Sequence, residues 1–375
     1  MLKILFTGGE SGGHIYPLVA VAEEITRQAS ESGLDIAFDY LGTSGEFGIV
    51  LENSGMAVHA TAGGKFRNYS SILNYLDLFK IGFSVLQAFF KMYFLMPDVI
   101  FSKGGTGALP VVLAARFFRI PVIVHDSDII PGKTNKISAW FASRVAISFA
   151  GAFKFFNKNR TALVGNPIRS EFFTPPADKN ILLEKLGFRE NLPFILVLGS
   201  SQGATRINDF IFSVMPSMIK RFQVLHQVGM RNIVSAETER NGILKDLSAE
   251  EKTRYQISPF LEDDYAAAVK AADLIVSRAS SGAIFEIAAA GKPAILIPLP
   301  ESAQDHQREN AYEYASTGAA IIIEQENLLP SIFFEQLQKV FGSADLRQTM
   351  SDAARKFAKP NAAKMIAEEI MSLAA

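Results

Sequence analysis

The sequence predicts an α/β protein built from two doubly wound, parallel-sheet domains of the Rossmann type. Three observations carry this reading. Short apolar runs are each followed by a glycine-rich turn and then by a helical pattern, the rhythm of parallel strands covered by helices on both faces. The rhythm breaks after residue 165 and restarts near residue 194, as an approximate duplication does. The length, 375 residues, exceeds one typical core and suits two.

The first unit opens with the strand Lys3-Ile4-Leu5-Phe6-Thr7 and the turn Gly8-Gly9-Glu10-Ser11-Gly12-Gly13-His14. A helix follows through Leu18, Val21, Ala22 and Ile25. Pro17 is expected in its first turn, where no N–H is lost, and Gly33 is expected to end it. Ile36–Leu41 reads as a second strand. The densest apolar stretch, Leu76 to Phe101, is read as helix: Lys80, Gln87 and Lys91 leave no uninterrupted run of the roughly 20 residues that span a bilayer. Val99-Ile100-Phe101 before Ser102-Lys103-Gly104-Gly105 is a strand–turn signal, and Pro121-Val122-Ile123-Val124-His125 is a strand with a polar exit.

Gly165-Asn166-Pro167-Ile168-Arg169 and Thr174-Pro175-Pro176 mark a linker region. Beyond it, Phe194–Leu198 is a buried-type strand, Gly199-Ser200-Ser201-Gln202-Gly203-Ala204 its turn, and Asn208–Ile219 a helix. Leu274-Ile275-Val276-Ser277, Ser280-Ser281-Gly282 and Ala283–Ala290 repeat the unit, and Ala294–Pro298 is the next strand. The expected division is residues 1–165, 166–345 and a C-terminal helical segment, 346–375, packing back on the first domain. Ligands of such folds lie at the carboxyl ends of the strands, so the cleft between the halves is the expected site.

Composition narrows the function. The net charge is −1, so no basic field exists to hold nucleic acid. Cysteine is absent, which removes disulfides and thiolate chemistry. The N-terminus lacks the long apolar region and cleavage site of a signal peptide, and the mature chain is expected to start at its first strand. The five histidines, His14, His59, His125, His226 and His306, show no metal-ligand spacing.

Several motifs can carry chemistry. The first glycine loop meets a helix N-terminus, where unpaired N–H groups and the helix dipole suit a pyrophosphate; a tight turn needing close packing would use the same glycines. No Gly-Lys-Ser/Thr follows, the spacing is not G-x-G-x-x-G, and Leu41-Gly42-Thr43 carries no acid for a ribose, which counts against NAD. His14 is a general base or a residue that orients the turn. Asp126 and Asp128, at a strand's end, act as a base, hold a divalent cation, or cap the segment. Ser200-Ser201-Gln202-Gly203 is a second phosphate cradle or an N-cap. Glu286 binds the two hydroxyls of a ribose or complements a helix dipole, and Gln304–Gln307 binds a sugar or caps a helix.

Taken in order, Thr7–His14, Ser102–Gly105, Pro121–His125, Gly165–Arg169, Gly199–Ala204, Glu286–Gly291 and Asp305-His306-Gln307 resemble the MurG family, GT-B transferases that add N-acetylglucosamine to a lipid-linked muramoyl peptide in peptidoglycan synthesis. The resemblance runs nearly end to end. It implies a GT-B fold and an inverting reaction without metal or other cofactor. It implies UDP-N-acetylglucosamine as donor, an undecaprenyl-pyrophosphoryl muramoyl-peptide as acceptor, and a peripheral place on the cytoplasmic face of the cell membrane. Ser11, Gly12 and Gly13 would meet the donor, and Arg169 and Ser201 its nucleotide and phosphates. Leu261 would lie by the uracil, Ser281, Gly282, Ala283, Ile284, Phe285 and Glu286 would form the donor loop and helix start, and Gln307 would touch the sugar. His14 and Asp126 are the candidate bases, and Asp128 replaces the asparagine that places the donor sugar. Glu10-Ser11 stands for the family's Gly-Thr, Asp126-Ser127-Asp128 for Glu-Gln-Asn, and Thr106 for a tyrosine. A UDP-N-acetylglucosamine epimerase on the same plan, or a GT-B transferase with another acceptor or donor sugar, is the competing reading.

Overall fold

The computed structural model describes residues 1–61, 73–174, 178–189, 192–199, 204–300 and 302–374, with the backbone alone from 73 to 81. The chain forms two compact units, Met1–Arg169 with Lys359–Ala375, and Ser170–Ala358.

In the first unit, strands β1 (Leu2–Thr7), β2 (Ile36–Gly42), β3 (Met56–Ala60), β4 (Val99–Ser102), β5 (Val122–Asp126), β6 (Arg144–Ile147) and β7 (Thr161–Leu163) form a seven-stranded parallel sheet in the order 3-2-1-4-5-6-7. Successive β1 side chains point to opposite faces: Ile4 and Phe6 join one core cluster and Leu5 the other. Helices cover both faces, as the apolar strands require. The last helix, Ala362–Ala374, sends Ile366, Ala367 and Ile370 into the same cluster as Ile4, Val21 and Ile25, and Glu369 pairs with Arg144 at 2.8 Å.

Helix Gly12–Ser32 starts earlier than Pro17 predicts. Pro17 therefore sits in its second turn, and the Gly13 carbonyl receives no intrahelical N–H from it. Gly33 ends the helix in the left-handed region, at φ 65°. The apolar stretch read as one helix divides into helix Leu73–Leu95 and β4, with Met96 at φ 42° and Pro97 between them. Among the described residues no helix is long and apolar enough to cross a membrane.

The second unit repeats the plan. Strands β8 (Phe194–Leu198), β9 (Gln223–Gln227), β10 (Tyr255–Ser258), β11 (Leu274–Ser277), β12 (Ala294–Leu296) and β13 (Ala320–Ile322) form a parallel sheet in the order 10-9-8-11-12-13. Helix Ala344–Phe357 belongs here: Phe357 packs on Phe285 and Tyr314 at ring distances of 5.1 and 4.9 Å. Each sheet reverses its winding once, between β1 and β4 and between β8 and β11. These switch points open a crevice at the strands' carboxyl ends.

The crevice in the first sheet constrains sequence tightly. Gly105 has φ +90°, and a Cβ there would lie 2.7 Å from both Cα and N of Gly9. Gly105→Ala should therefore destabilise the protein by about 2 kcal/mol or more. Gly82, in an open helical position, should gain about 0.5–1 kcal/mol from the same change. Paired thermal melts of the two variants check this; equal melting temperatures would contradict it.

Candidate functional site

In the first unit the register aligns Thr7 with Ser102 and Ser102 with Val124, so β1, β4 and β5 deliver their following loops to one place. Gly9 and Gly105 touch there, and the ring of His14 lies against Gly9, where a Cβ would sit 2.8 Å from Nδ1. A Cβ on Gly104, at φ +84°, would overlap the Asn135 carboxamide. Asn135 is buried for a reason: its Nδ2 donates to the His125 carbonyl at 3.1 Å and to Asp126 Oδ2 at 2.9 Å. The Asp128 N–H donates to Asp126 Oδ1 at 3.0 Å. Both Asp126 oxygens are thus engaged within their own loop.

Ser11 is the N-cap of helix Gly12–Ser32, but its hydroxyl makes no capping bond; Oγ lies 2.8 Å from His14 Nδ1. Arg169 stacks over Tyr16, 5.0 Å from the ring centroid, which brings its guanidinium beside the start of that helix. Ser11, Gly12, Gly13, His14, Asp126, Asp128 and Arg169 thus all belong to the first unit, around or just behind the ends of β1 and β5.

Burial sets the charges. His14 is partly buried, and desolvation, helped by the Lys103 cation, lowers its pKa to about 4. Asp126 is only 3 % exposed; desolvation first and Asp128 second raise its pKa to about 6, against the pull of Asn135 and Lys103. His125 is held well below the usual histidine range by burial and by Lys103, while Nε2 lies 2.9 Å from the Gly165 carbonyl.

In the second unit Gly199 follows β8, and a Cβ there would lie 2.6 Å from the Gln227 carbonyl. Ser201 lies outside the described residues. Leu261 is buried, and its N–H donates to Gln227 Oε1 at 3.2 Å, so that group is already committed. Helix Ser281–Ala289 begins at the carboxyl end of β11, with Ser281, Gly282 and Ala283 as its first turn. Ile284 and Phe285 turn into the core, and the Ile284 N–H bonds the Ser280 carbonyl at 3.0 Å. Their side chains therefore face away from any ligand at this helix start. Glu286 stays partly exposed one turn on, and its Oε2 accepts from the Tyr265 hydroxyl at 2.7 Å. Gln307 is 6 % exposed and accepts from the Leu299 N–H at 3.3 Å. Gln304 and Asp305, just before it, both have φ near the left-handed region, 58° and 59°. Such backbone costs about 1–3 kcal/mol per residue and is concentrated at ligand sites.

Residues 4–147 match the N-terminal domain of glycosyltransferase family 28, and residues 194–366 match its C-terminal domain. The chain belongs to glycosyltransferase family 28. A relative in Treponema denticola, named as UDP-N-acetylglucosamine–N-acetylmuramyl-(pentapeptide) pyrophosphoryl-undecaprenol N-acetylglucosamine transferase, is 32% identical across 99% of this chain and 98% of its own. The crystal structure of Acinetobacter baumannii MurG superposes with TM-score 0.71 at 25% identity, covering 99% of this chain and 100% of that one. The UDP-N-acetylglucosamine 2-epimerase of Neisseria meningitidis shares the fold at TM-score 0.69 and 14% identity, over 99% of this chain and 100% of its own. The architecture is the two-domain GT-B plan of the family.

Four residues at these sites escaped sequence reasoning. Asn135 and Tyr265 carry no local signal, because their partners stand 9 and 21 residues away, and Asn166 was visible only within its motif, not as the acceptor of the Ser127 hydroxyl 39 residues away. Lys103 was visible only as part of a turn; its burial identifies it.

Tyr265 is wedged between Phe172, at 5.8 Å, and Glu286. The Tyr265 hydroxyl thus fixes one oxygen of the Glu286 carboxylate. Charged hydrogen bonds are worth about 1.5–3 kcal/mol. Glu286→Ala should weaken UDP binding at least about tenfold, and Tyr265→Phe by a smaller factor, about threefold. Calorimetric titration with UDP measures both; undiminished affinity in folded Glu286→Ala would remove the residue from the site.

Proposed function

We propose that this chain is an inverting transferase that moves N-acetylglucosamine from UDP-N-acetylglucosamine to the undecaprenyl-pyrophosphoryl muramoyl-peptide, making the lipid-linked precursor of peptidoglycan. The carrying observation is the near full-length identity with the Treponema denticola transferase, in a chain with a glycine turn at both switch points.

We assign donor binding to the second unit and acceptor binding to the first. Glu286 takes the ribose hydroxyls. The carbonyl of Leu261 meets the uracil, since its N–H already serves Gln227. Ser201 and the first turn Ser281–Ala283 meet the diphosphate, with Arg169 adding a cation. As the acceptor oxygen bonds the anomeric carbon, the bond to UDP breaks. Helix-terminal N–H groups and the Arg169 guanidinium stabilise the charge that collects on the diphosphate. The backbone of Ser11, Gly12 and Gly13 borders the donor sugar. Asp128 and Gln307 orient it.

The acceptor hydroxyl must lose its proton. His14 is the base we favour: it is partly exposed, and if its Nδ1–H donates to Ser11, Nε2 keeps a lone pair for the proton. Asp126 has the higher pKa but spends both oxygens on Asn135 and Asp128, so it serves as the brace of the loop. A base works only when deprotonated. With His14 at about 4, kcat/KM should stay level between pH 7 and about 5; a fall beginning near 6 would instead identify Asp126. His14→Ala should cut turnover by about two orders of magnitude and leave UDP affinity nearly intact.

The acceptor's lipid tail stays in the bilayer, so the first unit must approach a membrane surface. Phe83, Leu86, Phe90 and Tyr93 are exposed on helix Leu73–Leu95, with Phe94 at 79% and, on two further helices, Phe117 at 68% and Trp140 at 75%. Phe89 ties the first two helices together, 4.8 Å from Phe117. Aromatic side chains of this kind suit the headgroup boundary. Lys65 and Arg67 lie outside the described residues, as do the side chains of Phe79 and Lys80, and Phe149 is core. Phe90→Ser with Phe117→Ser should reduce co-sedimentation with anionic vesicles; unchanged binding would move the contact elsewhere.

The reaction is tested by UDP release with and without the muramoyl lipid. Release only with acceptor is expected. Helix N-termini and Arg169 take the charge of the diphosphate in this reading, so the rate should survive EDTA. Isomerisation of the donor without acceptor would instead indicate an epimerase.

A further inference from the structure

Lys103 is the anomaly of the first unit. It follows β4 directly and is only 2 % exposed, yet lysine is among the side chains least often buried. Its backbone N–H bonds the Thr7 carbonyl at 2.9 Å, which fixes it to the end of β1. Its Nζ donates to the Ser127 hydroxyl, and that hydroxyl donates on to Asn166 Oδ1 at 3.0 Å. Ser127 stands between Asp126 and Asp128, both of which face the ammonium electrostatically. The other titratable groups in its field are His14 and His125.

Two carboxylates in one loop repel each other, and burial adds to the cost of ionising Asp126. A buried ammonium among them offsets both effects. Burial alone would neutralise it more readily; the two aspartates oppose this, and its pKa settles at about 8. At neutral pH it is mostly charged. So little exposed, and already bonded to Ser127, it is placed to act on the loop and not on a substrate phosphate.

We propose that Lys103 is a positioning residue, an internal cation that holds the Asp126-Ser127-Asp128 loop in shape and so places the Asp128 carboxylate as an acceptor for sugar hydroxyls. This rests on the reading that Asp128 orients the donor sugar. The ammonium reaches the substrate only through Ser127 and the two carboxylates. Its partner at the sugar is a neutral hydroxyl, which an ionised carboxylate accepts strongly. The same cation faces His14, so its loss also changes the basicity of the proton acceptor.

The test is a double-mutant cycle on the full chain: wild type, Lys103→Met, Asp128→Asn and the pair. Each is measured by kcat and KM with the muramoyl lipid, by pH profile and by melting temperature. Lys103→Met alone should lower kcat/KM by about thirtyfold or more, mostly through kcat, because it takes away the cation beside the buried Asp126 carboxylate and the hydrogen bond to Ser127. Its fall in rate on acidification should begin at higher pH than in the wild type, since Lys103 lowers the pKa of both His14 and Asp126. Asp128→Asn added to Lys103→Met should recover at least about threefold of the loss, a coupling that independent sites do not show. Should Lys103→Met not fold, a folded, active pair would itself demonstrate the compensation. Additive losses with an unmoved acid limb would overturn the proposal. Coupling in melting temperature without coupling in kcat/KM would overturn the functional part, leaving a purely structural ion cluster. If Asp128→Asn by itself leaves kcat and KM unchanged, the reading of Asp128 has failed instead, and Lys103 falls with it as a positioning residue for the sugar.

Discussion

The close approach of Gly9 and Gly105 governs the first unit. Parallel pairing brings β1 and β4 to the same level, and the chain must leave both strand ends at once. Only backbone without side chains fits between them, at a would-be Cβ distance of 2.7 Å. From that contact follow the seat of the His14 ring on Gly9 and the burial of Lys103 below it. The fit of Asn135 against Gly104 follows as well. A side chain at any of these glycines would displace His14, Asn135 or the facing glycine backbone.

The second unit meets the same geometric demand differently. Gly199 passes the Gln227 carbonyl, and Asn208 bonds the Val228 carbonyl at 2.8 Å while lying beside Gly199. His226 is buried between Asn208 and Tyr255, each 3.1 Å away, and desolvation lowers its pKa to about 3, so it stays neutral. The second crevice is braced by neutral hydrogen bonds, the first by a cluster of charges.

Charge in the first unit is a collective property. The low pKa of His14 and the raised pKa of Asp126 arise chiefly from burial, and Lys103 lowers both. Asp128, through its charge and its N–H, acts on Asp126 in opposite directions. His14, Lys103 and Asp126 all depart from their solution behaviour once the three loops meet, and a substitution at Lys103 changes the basicity of the other two.

The sequence by itself determined the two-fold α/β plan, the strand–glycine–helix units and the stop at Gly33, because these rest on local steric rules and on apolar patterning. It also raised His14, Asp126 and Asp128 as candidates, since the carboxyl end of a parallel strand is where such a fold exposes reactive groups, whereas Glu286 was singled out by the family resemblance. It misplaced Pro17 by a turn and ran the helix of the Leu76–Phe101 stretch over a strand it also marked at Val99–Phe101, because apolar runs carry no mark of where one element ends. Tertiary structure alone decided the rest. In the first unit the sheet order makes neighbours of Thr7, Ser102 and Val124, and that adjacency buries Lys103 beside Asp126; in the second unit, packing sets Tyr265 on Glu286 and turns Ile284 and Phe285 inward. Desolvation and hydrogen bonding depend on what surrounds an atom in space, and a linear sequence does not record it.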